Sequence, residues 1–159
     1  MKIPKDIEVW FASRTAGKVM RLKTACRFTE EYRRHTGGKD IYGKVVLSAS
    51  PSDEFRFISY ATWPDARSKE EMEDYVVSAI LRRVLLEEYF PVLGLRIVLE
   101  DVGWDAVNSC AIGYYLATEA AIGRIVRPDP LTQNFEEMKA AEPGATDNPD
   151  DAQRLREDH

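Results

Sequence analysis

Apolar and polar residues alternate through most of the first sixty positions, the period of half-buried strands. Ile7-Glu8-Val9-Trp10-Phe11-Ala12 alternates in part and predicts a first strand, with a turn at Thr15-Ala16-Gly17-Lys18. Met20, Leu22, Thr24 and Cys26 alternate with Arg21, Lys23, Ala25 and Arg27, so Val19 to Tyr32 reads as one long strand or two short ones. Gly37-Gly38 then marks a tight turn or glycine-rich loop between strands, because glycine accepts positive φ. Tyr42 to Ser50 is the next strand. Pro51-Ser52-Asp53 turns the chain, and Glu54 to Trp63 predicts another strand, with Phe55, Phe57 and Ser59 on one face.

The period then changes. Ser68-Lys69-Glu70-Glu71 has the form of a capping box, in which Ser68 accepts the Glu71 amide and Glu71 reaches back. Met72, Val76, Ile80 and Val84 follow at intervals of four, flanked by Tyr75, Ala79 and Leu81, a single apolar stripe on a helix of about five turns. Pro91 stops it. Leu93 to Leu99 is nearly all apolar and predicts a central strand, closed by a turn at Asp101-Val102-Gly103. Asn108 or Ser109 caps a second helix from Cys110 to about Val126, whose Ala111, Gly113, Ala117, Ala120, Ala121 and Gly123 allow close packing on a sheet. Beyond Arg127 the chain is polar, acidic and broken by prolines, with a short helix predicted between Leu131 and Met138. The expected class is α+β: one mostly antiparallel sheet with two helices on one face. Residues 1–126 form the domain and 127–159 an acidic, disordered tail.

Composition narrows this picture. A chain of 159 residues, 44% of them hydrophobic, suffices for one domain with its own core. No run of about 20 apolar residues is present to span a membrane, and the N-terminus lacks the apolar stretch of a signal peptide. A cytoplasmic protein is expected. Cys26 and Cys110 read as two buried free thiols, with a disulfide as the alternative. The net charge of −5 is unevenly spread. Residues 1–44 hold 11 Lys/Arg against 5 Asp/Glu, residues 45–126 hold 7 against 13, and residues 127–159 hold 4 against 9. The basic first third could meet RNA phosphates, or could face the acidic middle third within the fold.

Catalytic chemistry finds little footing. Ala16-Gly17-Lys18-Val19 echoes the end of a phosphate loop, but Ala12 stands where its first glycine belongs and Val19 where Ser or Thr is required. His35 and His159 are isolated, and no Cys or His pair has metal-ligand spacing. Ser109, Cys110 and His35 have no local support as a nucleophilic set. Glu70-Glu71 and Glu87-Glu88 lie on a helix's polar face or end, where solvated acids are the norm. No metal, cofactor or catalytic residue is expected.

Three segments carry more information together. They are Arg34-His35-Thr36-Gly37-Gly38-Lys39-Asp40-Ile41-Tyr42-Gly43-Lys44-Val45, then Pro91-Val92-Leu93-Gly94-Leu95-Arg96-Ile97-Val98-Leu99, then Gly103-Trp104-Asp105-Ala106-Val107-Asn108-Ser109-Cys110. In this order, with one long helix between the first two, they resemble the fourth domain of bacterial elongation factor G, the ribosomal translocase. The resemblance covers roughly residues 20–126. It implies a ribosomal protein S5 domain 2-like fold, whose βαβ crossover is left-handed against the usual rule. It also implies a ribosome- or RNA-binding module without the translocase's GTPase, so no nucleotide is expected.

By position, the tip loops that reach the decoding region would be Lys39-Asp40-Ile41 and Trp104-Asp105-Ala106. Arg33, Arg34 and Lys39 beside Gly37-Gly38 are the phosphate-contact candidates, and Trp104 either stacks on a base or covers the core. The scaffold positions Gly37, Gly38, Tyr42, Gly43, Val107 and Ser109 fit the family's pattern, whereas the tips have acquired Asp40 and Asp105. Acidic tips near phosphates predict an altered or lost decoding-centre role. The alternative reading is a protein-interaction module that keeps the fold without binding RNA. A small-molecule kinase on this fold is a third and weaker reading, since its glycine-serine phosphate loop is not present.

Overall fold

The computed structural model describes residues 19–86, 92–126 and 135–138. The first predicted strand, the turn at 15–18, the Pro91 stop and most of the tail lie outside these residues. The elements run β1 (Val19–Leu22), β2 (Cys26–Thr36), β3 (Lys39–Pro51), β4 (Arg56–Ser59), α1 (Ala66–Leu86), β5 (Val92–Gly103), α2 (Ala111–Val126) and β6 (Phe135–Met138). The class is α+β, as the change of period requires.

β2, β3 and β5 are successive antiparallel neighbours. The other edge of β5 takes β4 in parallel along Arg96–Leu99 and β1 in parallel at Val92 and Gly94. β6 pairs antiparallel with β1. Most of the pairing is antiparallel, and β5 is central because it has neighbours on both edges. The two helices pack against each other, α2 lies over β2 and β3, and α1 reaches β5. Helices in mutual contact on one sheet share a face of it, as expected.

The core sits between them. Val45, Leu47, Leu95, Ile97 and Leu99 from the sheet meet Val76, Ile80 and Val84 of α1 and Tyr114, Ala121 and Ile122 of α2, all fully buried. Each large aliphatic here contributes about 1.5–3 kcal/mol relative to exposure. The stripe read from the sequence is the buried one, and Tyr75 beside it is exposed.

Of the two arrangements open for Val19 to Tyr32, the chain takes two strands, broken at Lys23–Ala25, the second running on to Thr36. Several expectations are corrected. Asp101–Gly103 is no turn but the end of β5. Between Val46 and Leu47 the register with β5 slips, pairing Leu47 with Leu99 but Val46 with Asp101, so Glu100 is the extra residue of a bulge. The bulge shifts the alternation from Leu95, Ile97 and Leu99 to Val102, and that break of phase made the strand look finished. β4 stops at Ser59, well short of Trp63. α1 starts earlier than the proposed capping box: the Asp65 carboxylate accepts the Ser68 amide and hydroxyl, each at 2.8 Å, making Asp65 the cap. Neither Asn108 nor Ser109 caps α2, because the carbonyl that takes the first helical amides belongs to Cys110. Phe135–Met138, expected as helix, is a strand. Cys26 and Cys110 are free thiols, half-buried rather than buried.

Candidate functional site

Both segments singled out as tips lie at one end of the sheet. β2 and β3 stay paired up to Thr36 and Lys39, and Gly37 (φ 42°) and Gly38 (φ 124°) alone make the turn. Two successive positive φ values fit the twist of a two-residue hairpin and explain why both are glycine. Lys39, Asp40 and Ile41, expected as loop, are the first residues of β3.

The second segment is stitched to β3 at one residue. The Tyr42 amide donates to the Asn108 carbonyl at 3.0 Å, and the Cys110 amide donates to the Tyr42 carbonyl at 3.2 Å. This bridge carries on the edge of β3 where β5 leaves it at Gly103. The hairpin therefore projects about 13 Å past the point where the 104–109 loop is anchored, at about 3.4 Å per residue.

That loop is held from within. Asp105 Oδ1 accepts the amides of Val107 (2.9 Å) and Asn108 (3.1 Å), and Oδ2 accepts from Asn108 Nδ2 (3.0 Å). The Asp105 amide donates to Ser109 Oγ at 2.8 Å. Fully buried Tyr114 donates its hydroxyl proton to the Gly103 carbonyl at 2.7 Å, and its oxygen lies 3.2 Å from Ser109 Oγ. The Tyr114 ring meets Trp63 edge-on at 5.1 Å. Hydrogen bonds from the Asn108 side chain, then from the Val107 and Asn108 amides, hold the Asp105 carboxyl below the usual carboxylate range. Burial pushes the Tyr114 phenol up.

The expected site residues thus separate. Arg33 stacks over the Tyr42 ring, 4.9 Å from its centroid, and pairs with Glu31 at 3.6 Å. Arg34 lies on the opposite side of β2, exposed and without an ion pair to any described residue. Asp40 pairs with His35 across the hairpin, and Ile41 is half-buried. Trp104 and Ala106 are exposed, as is Val107 at 86%. Asp105, read as a charge facing outward, turns its carboxylate into the loop, because aspartate satisfies the amides two and three residues on. Arg33, Tyr42 and the 104–109 loop come together; Gly37, Gly38 and the start of β3 stand beyond them. Sequence reasoning missed Tyr114 as a support of the loop, whereas Gly113, expected to allow close packing on the sheet, lies against Tyr42 and Gly43 of β3. Among the described residues, no three His, Cys, Asp or Glu side chains gather to hold a metal, and no helix is long and apolar enough to cross a membrane.

No protein-family model matches the chain, and no curated protein matches it. Among solved structures it is similar to the crystal structure of ttk003000868 from Thermus thermophilus, with a TM-score of 0.56 and 24% identity over 68% of this chain. The likeness takes in only 16% of that chain. It shows a shared fold and nothing about activity.

Proposed function

We propose that this chain is a non-enzymatic module that binds the ribosome or structured RNA through the end of the sheet where the β2–β3 turn and the 104–109 loop meet. The observation that carries this is the double backbone bond at Tyr42, which joins segments more than sixty positions apart into one surface. These are two of the three segments that resemble the translocase's fourth domain. On this reading the fold is the S5 domain 2-like one, with β4, α1 and β5 as its left-handed crossover. That the structural likeness occupies a small part of a much longer chain suits a domain of a larger machine. Arg33, ordered on Tyr42, supplies a guanidinium for phosphate, with Arg34 and Lys39 on the projecting hairpin.

Co-sedimentation with ribosomes and isolated subunits, at low and near-physiological salt, tests the reading. Saturable pelleting with the small subunit that survives the higher salt is expected, weakened by alanine at Arg33, Arg34 and Lys39 together. No pelleting at either salt overturns it. One observation favours a second reading, a protein-interaction module: Trp104, Ala106 and Val107 present apolar surface on a rigid loop, with the Asp105 charge turned inward. Partners that survive nuclease treatment and are lost on Val107→Asp would support that alternative.

A further inference from the structure

The helices cover one face of the sheet, and the other face carries a second cationic centre far from the tip. In the register of the strands, Ser50 of β3, Arg96 of β5 and Arg56 of β4 form one row across the sheet, side chains on the same face. In the adjoining row Arg27 stands opposite Ser48. Arg27, Ser48, Ser50 and Arg96 line a shallow depression of about 330 Å³. Along β3 it lies eight residues from Tyr42, about 26 Å at the rise of a strand.

Two of the three arginines are neutralised. Arg56 Nε donates to Glu54 Oε1 at 2.7 Å. Arg27 Nε donates to Glu100 Oε2 at 2.6 Å, and Glu100 also accepts from the Ser48 hydroxyl. Glu100 follows Arg96 and Val98 at the two-residue period of β5, so its carboxylate lies on this same face. Arg96 has no such partner. It is exposed, makes no ion pair with any described residue, and stands directly beside Arg56 on the neighbouring strand. The two carboxylates leave one positive charge over, and it sits on Arg96 between two serine hydroxyl positions and a second guanidinium.

We propose that this row is a phosphate-binding site, with Arg96 as its principal cation, Arg56 and Arg27 flanking it, and Ser50 donating a hydroxyl. Planar guanidinium forks suit the bidentate geometry of phosphate oxygens, and Arg96 brings a charge that no described carboxylate offsets. The phosphate comes from an RNA backbone, or from a free polyphosphorylated molecule. The first source rests on the RNA reading above and gives the module a second contact on the strand it holds; the second does not.

The experiment uses the full chain, as wild type, Arg96→Gln and the tip variant Arg33→Ala/Arg34→Ala. One arm follows fluorescence anisotropy of a short labelled single-stranded RNA over a salt series. The other follows the thermal midpoint with sodium tripolyphosphate. With RNA as the source, Arg96→Gln binds RNA several-fold more weakly and lowers the slope of log K against log salt by about 0.7, the value for one phosphate contact on a single strand. That loss adds to the loss in the tip variant. With a free ligand as the source, tripolyphosphate raises the wild-type and tip-variant midpoints but not that of Arg96→Gln, whether or not RNA binds. The unliganded Arg96→Gln midpoint equals wild type, since Arg96 is exposed and makes no ion pair with any described residue, so a loss of binding is not a loss of fold. RNA binding that depends on the tip variant alone, with tripolyphosphate acting equally on all three proteins, overturns this site and leaves the tip reading standing. Absence of any effect of either probe on the wild type overturns it as well.

Discussion

Gly43 of β3 and Gly113 of α2 touch backbone to backbone. A β-carbon on Gly43 would lie 2.2 Å from the Gly113 carbonyl carbon, and one on Gly113 would lie 2.2 Å from the Tyr42 carbonyl oxygen. No side chain can yield here, because both sides are main chain. Replacing a mid-helix glycine by alanine ordinarily stabilises a protein by about 0.5–1 kcal/mol. At Gly113 the sign reverses: Gly113→Ala and Gly43→Ala each cost about 3 kcal/mol, the upper range of overpacking. Gly123, in the same helix with open space around it, keeps the ordinary sign. Denaturant unfolding of the three variants checks the contrast, and a stabilised Gly113→Ala would refute the contact.

The Tyr114 hydroxyl is the buried tie between α2 and the end of β5. Tyr114→Phe leaves the ring and its contact with Trp63 but strands the Gly103 carbonyl. An unmade buried hydrogen bond costs about 1–3 kcal/mol. Thermal or urea unfolding should show that loss, together with faster amide exchange across residues 104–109. A loss of stability with unchanged exchange in the loop would mean that Tyr114 supports the core alone.

Periodicity exposed the elements whose burial is regular. The α1 stripe of Met72, Val76, Ile80 and Val84 and the apolar run of β5 were legible because one side chain in four, or nearly every one, is buried. What periodicity cannot express was misread. The bulge at Glu100 moves Val102 out of phase, and the Asp65 cap resembles the capping box that follows it three residues later. The two tip segments could be named from their motifs, but their meeting at Tyr42 depends on main-chain hydrogen bonds, which leave no mark on residue type. The inward turn of Asp105 was hidden for a related reason: an aspartate in a loop looks the same whether it faces solvent or its own amides. The Arg56–Arg96 row needed the register of two parallel strands joined by a helix, and no local pattern supplies that.

The cap of α1 separates two readings of one stretch. With Asp65 accepting from the Ser68 amide and hydroxyl, Asp65→Ala lowers the thermal midpoint by a few degrees while Glu71→Ala leaves it unchanged. The reverse result would restore the capping box. Circular dichroism melts of the two variants suffice, because the cap governs the longer of the two described helices.

The loop at the tip carries its own pH dependence, with a sign that follows from Asp105. Its carboxyl lies below the usual range because the Asn108 side chain, and then the Val107 and Asn108 amides, donate to the charged form. A depressed folded value means the stabilisation is fully present above the ordinary carboxylate pKa of about 4 and disappears as pH falls through the lower folded value. Protection of the Val107 and Asn108 amides, corrected for intrinsic exchange, should therefore persist through the range where unperturbed carboxylates protonate and collapse only below it. Asp105→Asn removes the titrating group while keeping an acceptor oxygen, so in that variant the step vanishes. Amide exchange by nuclear magnetic resonance over a pH series reads both. Loss of protection near the ordinary carboxylate value would show that the network does not hold the loop. The result bears on recognition because Trp104 and Val107 ride on this turn. On the proposed reading a loop kept rigid by Asp105 has little ordering entropy left to lose on binding, so at neutral pH Asp105→Ala should weaken whatever binding the tip supports even though its carboxylate is turned into the loop.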